Sequence, residues 1–159
     1  MKHVDLVSRS KERNRMRNVL LSSLGPLLAF SLAGCLPSFD AQAEEHFNQG
    51  IEYRRQGNND SAMEEFTNAI ELDPEYYFAY YNRALVYYQS GKLESSLADY
   101  TKAIELHPDN AYWTFERGFL YLELGDREKA IIDLERSLEL GLPPDYGQRV
   151  EEALAQLRP

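Results

Sequence analysis

The chain repeats itself. Laid against its own sequence at an offset of 34 residues, it aligns Gly50, Ala84 and Gly118; Tyr53, Tyr87 and Tyr121; and Gly57, Gly91 and Gly125. Ala62, Ser96 and Ala130 fall into the same register, as do Phe66, Tyr100 and Leu134, then Ala69, Ala103 and Ser137. The strings AIELDP and AIELHP close the first two copies, and the third ends SLELGLP, one residue longer before its proline. A period of this length constrains the fold more than any composition could. Each unit is too small to bury a core alone, so copies must stack and share apolar faces.

Within each copy the spacing predicts two helices. Helix A should run over about 43–56, 77–90 and 111–124, and helix B over about 60–73, 94–107 and 128–140. Gly50, Ala84 and Gly118 are small where two helices must approach, and Ala62, Ser96 and Ala130 match them from the other side. Tyr53, Tyr87 and Tyr121 should fill the space beside them. Gly57, Gly91 and Gly125 should stop helix A and open the turn. Pro74 and Pro108 prevent helix B from continuing, and Asp60 is a candidate cap for the first B helix. After the third copy, Tyr146, Val150, Ala153, Leu154 and Leu157 form one helical stripe behind Pro143 and Pro144, as expected of a helix covering the last apolar face.

These positions resemble the tetratricopeptide (TPR) family. The resemblance implies an all-α superhelix of three helix-pair repeats, residues 43–76, 77–110 and 111–144, with a capping helix in 145–159. The chain departs from the family pattern at the first large aromatic, where His46, Tyr80 and Thr114 stand, and at the slot before the small residue, where Gln49, Arg83 and Arg117 replace leucine. These departures are expected to weaken single packing contacts. The family also implies a concave face lined by the A helices. Repeat one would present Glu44, Phe47, Ile51 and Arg54; repeat two Phe78, Tyr81, Leu85 and Tyr88; repeat three Tyr112, Phe115, Phe119 and Leu122. Most are aromatic or aliphatic, and Tyr81 and Phe115 are the central candidates. A face this apolar favours association. The occupant could be a partner peptide or helix, a second copy of the chain, or the chain's own tether. One family subtype grips a C-terminal carboxylate with lysine and asparagine. Asn82 matches that pattern, but Phe47, Ile51, Tyr112 and Glu116 do not, so recognition should rest on apolar and aromatic anchors.

The N-terminus reads differently. Residues 1–17 are polar and basic, residues 19–33 carry no charge over fifteen positions, and Gly34 and Cys35 follow. That order is the pattern of a secretory signal, and the apolar run is short for a bilayer span of about 20 residues. Leu32-Ala33-Gly34-Cys35 looks like a bacterial lipobox. The resemblance implies a leader over 1–34, a lipidated Cys35 as the first mature residue, and a tether over 35–42. Several acyl chains would give a stable anchor, to the cell membrane or outer membrane with the body facing the periplasm or exterior. Cleavage after Ala43 in Ala41-Gln42-Ala43, or an uncleaved segment, are the competing readings.

Charge narrows the partner classes. Residues 1–34 carry six Lys/Arg and two Asp/Glu; residues 35–159 carry eleven and twenty-four, a net of −13. An acidic body repels nucleic acid and anionic lipid, so protein or peptide partners are expected. Cys35 is the only cysteine, which leaves no internal disulfide and no zinc cluster. His3, His46 and His107 are scattered, the His46 and His107 side chains being expected on the surface. Glu44-Glu45, Glu64-Glu65 and Glu151-Glu152 read as solvated helix faces, and no phosphate loop or nucleophile motif is present. Neither catalysis nor a cofactor is expected.

Overall fold

A computed structural model describes residues 39–157; the leader, Cys35 and residues 36–38 of the tether lie outside them. Residues 42–157 lie within one compact unit. Among the described residues there are seven helices and no strand. They are α1 (Phe39–Arg55), α2 (Asn59–Leu72), α3 (Tyr77–Gln89), α4 (Leu93–Leu106), α5 (Ala111–Glu123), α6 (Arg127–Glu139) and α7 (Pro144–Leu157). The order is three A–B pairs and a final single helix, a TPR superhelix.

The turns follow from the glycines. Gly57 sits at φ +75°, where side chains with a Cβ are strained, and Gly91 and Gly125 take the same left-handed conformation. Gly57 N–H donates to the Arg54 carbonyl at 3.0 Å and Asn58 N–H reaches back to Tyr53 at 2.9 Å. This pair of bonds satisfies the helix's last carbonyls and reverses the chain. The cap of α2 is Asn58, whose side chain accepts from Ser61 N–H at 3.3 Å. Asp60, the expected cap, lies instead in the first turn, where its carboxylate still favours the helix N-terminus. α1 starts at Phe39, four residues ahead of the expected position, because nothing between Pro37 and Gly50 interrupts helix.

Three apolar clusters bind neighbouring repeats. Ala62, Phe66 and Val86 join α2 to α3; Ala84, Tyr100 and Leu120 join α3, α4 and α5; and Phe115, Leu134, Val150 and Leu154 join α5, α6 and α7. Each large buried side chain contributes ~1.5–3 kcal/mol of transfer free energy. Small residues make the clusters possible: a Cβ at Gly50 would meet the Phe66 ring at 2.6 Å. Val150 and Leu154 of α7 fill the place that a following repeat would occupy.

Polar clasps run alongside. Arg83 on α3 donates to both Asp99 oxygens on α4, at 2.7 and 2.9 Å, and to the Thr67 hydroxyl on α2 at 2.9 Å. Arg117, Asp133 and Thr101 repeat the arrangement one unit later, at 2.7, 2.9 and 3.3 Å. The arginines expected to weaken packing therefore tie three helices together through bidentate contacts. Burial works against the Arg83 charge, yet the hydrogen bond and charge of Asp99 leave its guanidinium held above the ordinary value. In repeat one His46 Nδ1 meets Glu65 Oε2 at 2.6 Å. His46 and Glu65 are half-buried rather than solvated.

Candidate functional site

The face presented by α1, α3 and α5 is built from every third or fourth residue of each helix. On α3 the positions Phe78, Tyr81, Leu85 and Tyr88 fall on one side, and the fully buried positions of the helix are Ala79, Asn82, Ala84 and Val86. The helices touch through this face. Tyr81 stacks on Trp113 of α5 with centroids 5.2 Å apart, and the Tyr88 hydroxyl donates to Glu123 of α5.

Exposure divides the expected groove residues into three groups. Phe78 and Tyr88 are 45% and 39% exposed. Phe47, Ile51, Tyr81, Leu85, Tyr112, Phe119 and Leu122 are half-buried, each packed on one of the three clusters. Phe115 is 2% exposed and belongs to the core, so its expected place as a central groove anchor is corrected. The reason is positional. The fifth residue of each repeat points into the seam with the next A helix or the capping helix, not outward. Phe47 lies 5.0 Å from Tyr76, Tyr81 lies 5.2 Å from Trp113, and Phe115 lies 5.3 Å from Tyr146 of the capping helix. Stacked and tilted rings at these separations contribute ~0.5–1.5 kcal/mol beyond their burial.

Trp113 was not singled out from the sequence and proves central. It is buried and gathers Tyr77, Phe78, Tyr81 and His107, with centroids 5.7, 5.9, 5.2 and 5.6 Å away. Phe78 forms the outer edge of that ring cluster. Asn82 is buried, its amide donating to the Phe78 carbonyl at 2.8 Å, and so braces α3 internally.

Carboxylates accompany the rings. Glu116 lies one turn beyond Tyr112 on α5, and its charge bears on the phenols of Tyr81, Tyr88, Tyr100 and Tyr112. Burial first, then Glu116, pushes the Tyr81 phenol up to about 12, with Arg54 of α1 opposing. Burial likewise raises Tyr100 and Tyr112, and the hydrogen bond to Glu123 raises Tyr88. The face is thus aromatic, with neutral hydroxyls and acidic groups at its repeat-three end. Among the described residues no three His, Cys, Asp or Glu side chains gather as a metal site. An open cleft lined by Glu135, Leu138, Glu139, Glu151, Leu154 and Ala155 draws wholly on α6 and α7, and takes nothing from the A helices.

Known proteins share this architecture. Two family models described as tetratricopeptide repeat match residues 77–110 and 115–140, and one described as TPR repeat matches 50–91. No curated protein matches the chain by sequence. The P58(IPK) TPR domain is 31% identical with a TM-score of 0.69, over 74% of this chain and 33% of that one, so the chain spans about a third of that relative. The first TPR of Spaghetti (RPAP3), bound to the HSP90 peptide SRMEEVD, is 27% identical with a TM-score of 0.66, over 73% of this chain and 95% of that one. The Yersinia enterocolitica type III secretion chaperone SycD, in complex with a peptide of the translocator YopD, is similar in fold at 16% identity and a TM-score of 0.66, over 72% and 90% of the two chains. By period, by helix pairing and by these matches, the chain is built of tetratricopeptide repeats.

Proposed function

We propose that the chain is a non-catalytic interaction module, held at a membrane through a lipid on Cys35, that grips a peptide or helix of another protein along the α1–α3–α5 face. The observation that carries this reading is the exposure of Phe78 and Tyr88. Among the described residues only three large hydrophobic side chains are exposed, and two of them share this face of α3. Both are flanked by half-buried rings that already support the fold, so the outer pair is free to meet a partner. Aromatic side chains lose little rotamer entropy in doing so. The Spaghetti repeat domain holding its peptide lends the same direction to the argument. Its acidic ligand is a poor guide to sequence here, because Tyr112 and Glu116 stand where a carboxylate grip would need bases.

The anchor rests on the basic leader, the uncharged run and Leu32-Ala33-Gly34-Cys35. Intact mass of the protein recovered from its own cells tests it: an acylated chain starting at Cys35 is expected, and a start at Glu44 or a retained leader would refute it. The face is tested by placing a photo-reactive phenylalanine analogue at position 78 or 88 and irradiating the cells. Adducts with one distinct protein from both positions are expected. An adduct only with a second copy would mean self-assembly, and no adduct would mean that the face is not a binding site.

A further inference from the structure

The repeat-three half of this face carries a charge arrangement that the aromatic reading leaves unused. Glu116 and Glu123 lie seven residues apart on α5, two turns along the same side of the helix and roughly 10 Å from one another. Glu123 accepts from the Tyr88 hydroxyl. Glu116 is half-buried, its carboxylate engaged by the Tyr112 hydroxyl one turn back on α5. Among the described residues neither carboxylate has a Lys, Arg or His nitrogen within ion-pair distance. Arg149 of α7 is spent elsewhere, over the Phe115 and Phe119 rings at 5.3 and 5.4 Å. The paired acids of the fold, Asp99 and Asp133, show what this chain does with a buried carboxylate that needs a counter-charge.

We propose that this half of the face receives a basic segment of a partner protein, one lysine or arginine lodging beside Glu116 and a second beside Glu123. The inference rests on the α1–α3–α5 face being the binding site and adds the chemistry of its occupant. Two features fit a cation rather than an apolar residue alone. The carboxylates supply the complementary charge. Tyr88, exposed and bonded through its hydroxyl to Glu123, adds a ring whose π-face attracts ammonium and guanidinium groups within about 6 Å of the centroid. The separation fixes the spacing of the partner's basic residues: three apart in a polyproline II segment, which has three residues per turn and rises ~3.1 Å per residue, or seven apart in a helix. The face opposes the sign that a carboxylate grip would require.

A random dodecamer peptide library, selected against the full chain in mild detergent and against its Glu116→Gln and Glu116→Lys variants, tests this. Circular dichroism first establishes that the variants remain folded. The wild-type chain should enrich peptides with two basic residues at one of those spacings. Glu116→Gln should lose one of the two, and Glu116→Lys should favour Asp or Glu there. For one selected peptide, changing the corresponding lysine to glutamine should weaken binding to wild type about tenfold at low salt and leave binding to Glu116→Gln unchanged. Selected peptides that are apolar and uncharged would overturn the inference and leave the binding face intact. Failure to select any peptide would take the binding face down with it. A consensus reproducing part of residues 1–17 would assign the acids to the chain's own basic segment, and a dimer dispersed by Glu116→Gln would assign them to a second copy; either overturns the claim of a basic partner.

Discussion

Phe115→Ala should damage the fold far more than Phe78→Ala, although both rings sit on A helices at positions that face the same way in a repeat pattern. Phe115 is 2% exposed and joins α5 to α6 and α7 through Leu134, Val150 and Leu154. It also touches the Phe119 ring at 4.8 Å and the Tyr146 ring at 5.3 Å. Truncation removes this burial and leaves a cavity that the surrounding helices close only in part, a loss of ~3–5 kcal/mol. For a domain of this size that corresponds to a fall in melting temperature of roughly 10–20 °C. Because repeat arrays are stabilised neighbour by neighbour, the damage should concentrate at the C-terminal end, with α7 detaching first. Phe78, at 45% exposure, should cost under about 1 kcal/mol. Thermal melts by circular dichroism, with hydrogen exchange over α7, provide the comparison. Equal melting of the two variants, or undiminished exchange protection of α7 in Phe115→Ala, would refute the assignment of Phe115 to the core.

Arg83→Ala should destabilise by ~3–5 kcal/mol, because Asp99 would remain buried without its partner; a denaturant titration that also includes Asp99→Asn tests this, and the double variant should be less damaging than the sum of the two. Gly50→Ala should cost ~1–3 kcal/mol despite the better helix propensity of alanine, since the new Cβ would meet the fully buried Phe66 ring at 2.6 Å; an unchanged melting temperature would mean that α1 and α2 can part at no cost. Alkaline pH should unfold the domain. The Tyr81 phenol is raised in the folded state from 10.0 to about 12, and Tyr100 is raised as well. Stability from the neutral phenols is therefore complete below pH 10 and is lost as pH climbs from 10 toward 12. Tyrosinate absorbance followed together with helical circular dichroism should show the buried phenols ionising as the helices melt; ionisation of all tyrosines near pH 10 in a still-folded protein would contradict it.

The repeat period made the architecture legible because each element of a stacked array obeys the same local rules. Gly57 at the end of α1 and Gly50 beneath Phe66 were readable from their recurrence 34 residues on. The stripe of Val150 and Leu154 announced the capping helix in the same way. The binding face was legible only as a set of helix positions. The family resemblance places Tyr81 and Phe115 on the concave side, but it cannot tell whether the next helix covers them. That depends on Trp113, where the other repeats hold Glu45 and Ala79, and on Tyr146 of the capping helix, which lies beyond the last repeat. The arginine clasps did leave a mark. Thr67 and Thr101, Arg83 and Arg117, and Asp99 and Asp133 all recur at the same offset. Their meaning is not legible from recurrence alone, because Arg83 and Asp99, sixteen residues apart, meet only once the A and B helices are paired.

The central claim is that Phe78 and Tyr88 bind while the rings beneath them hold the fold. Partner affinity and melting temperature measured side by side for Phe78→Ala, Tyr88→Ala and wild type test it most directly. The account expects affinity to fall by ~1–4 kcal/mol for at least one variant with the melting temperature nearly unchanged. Affinity that is untouched, or that falls only in step with stability, would contradict it.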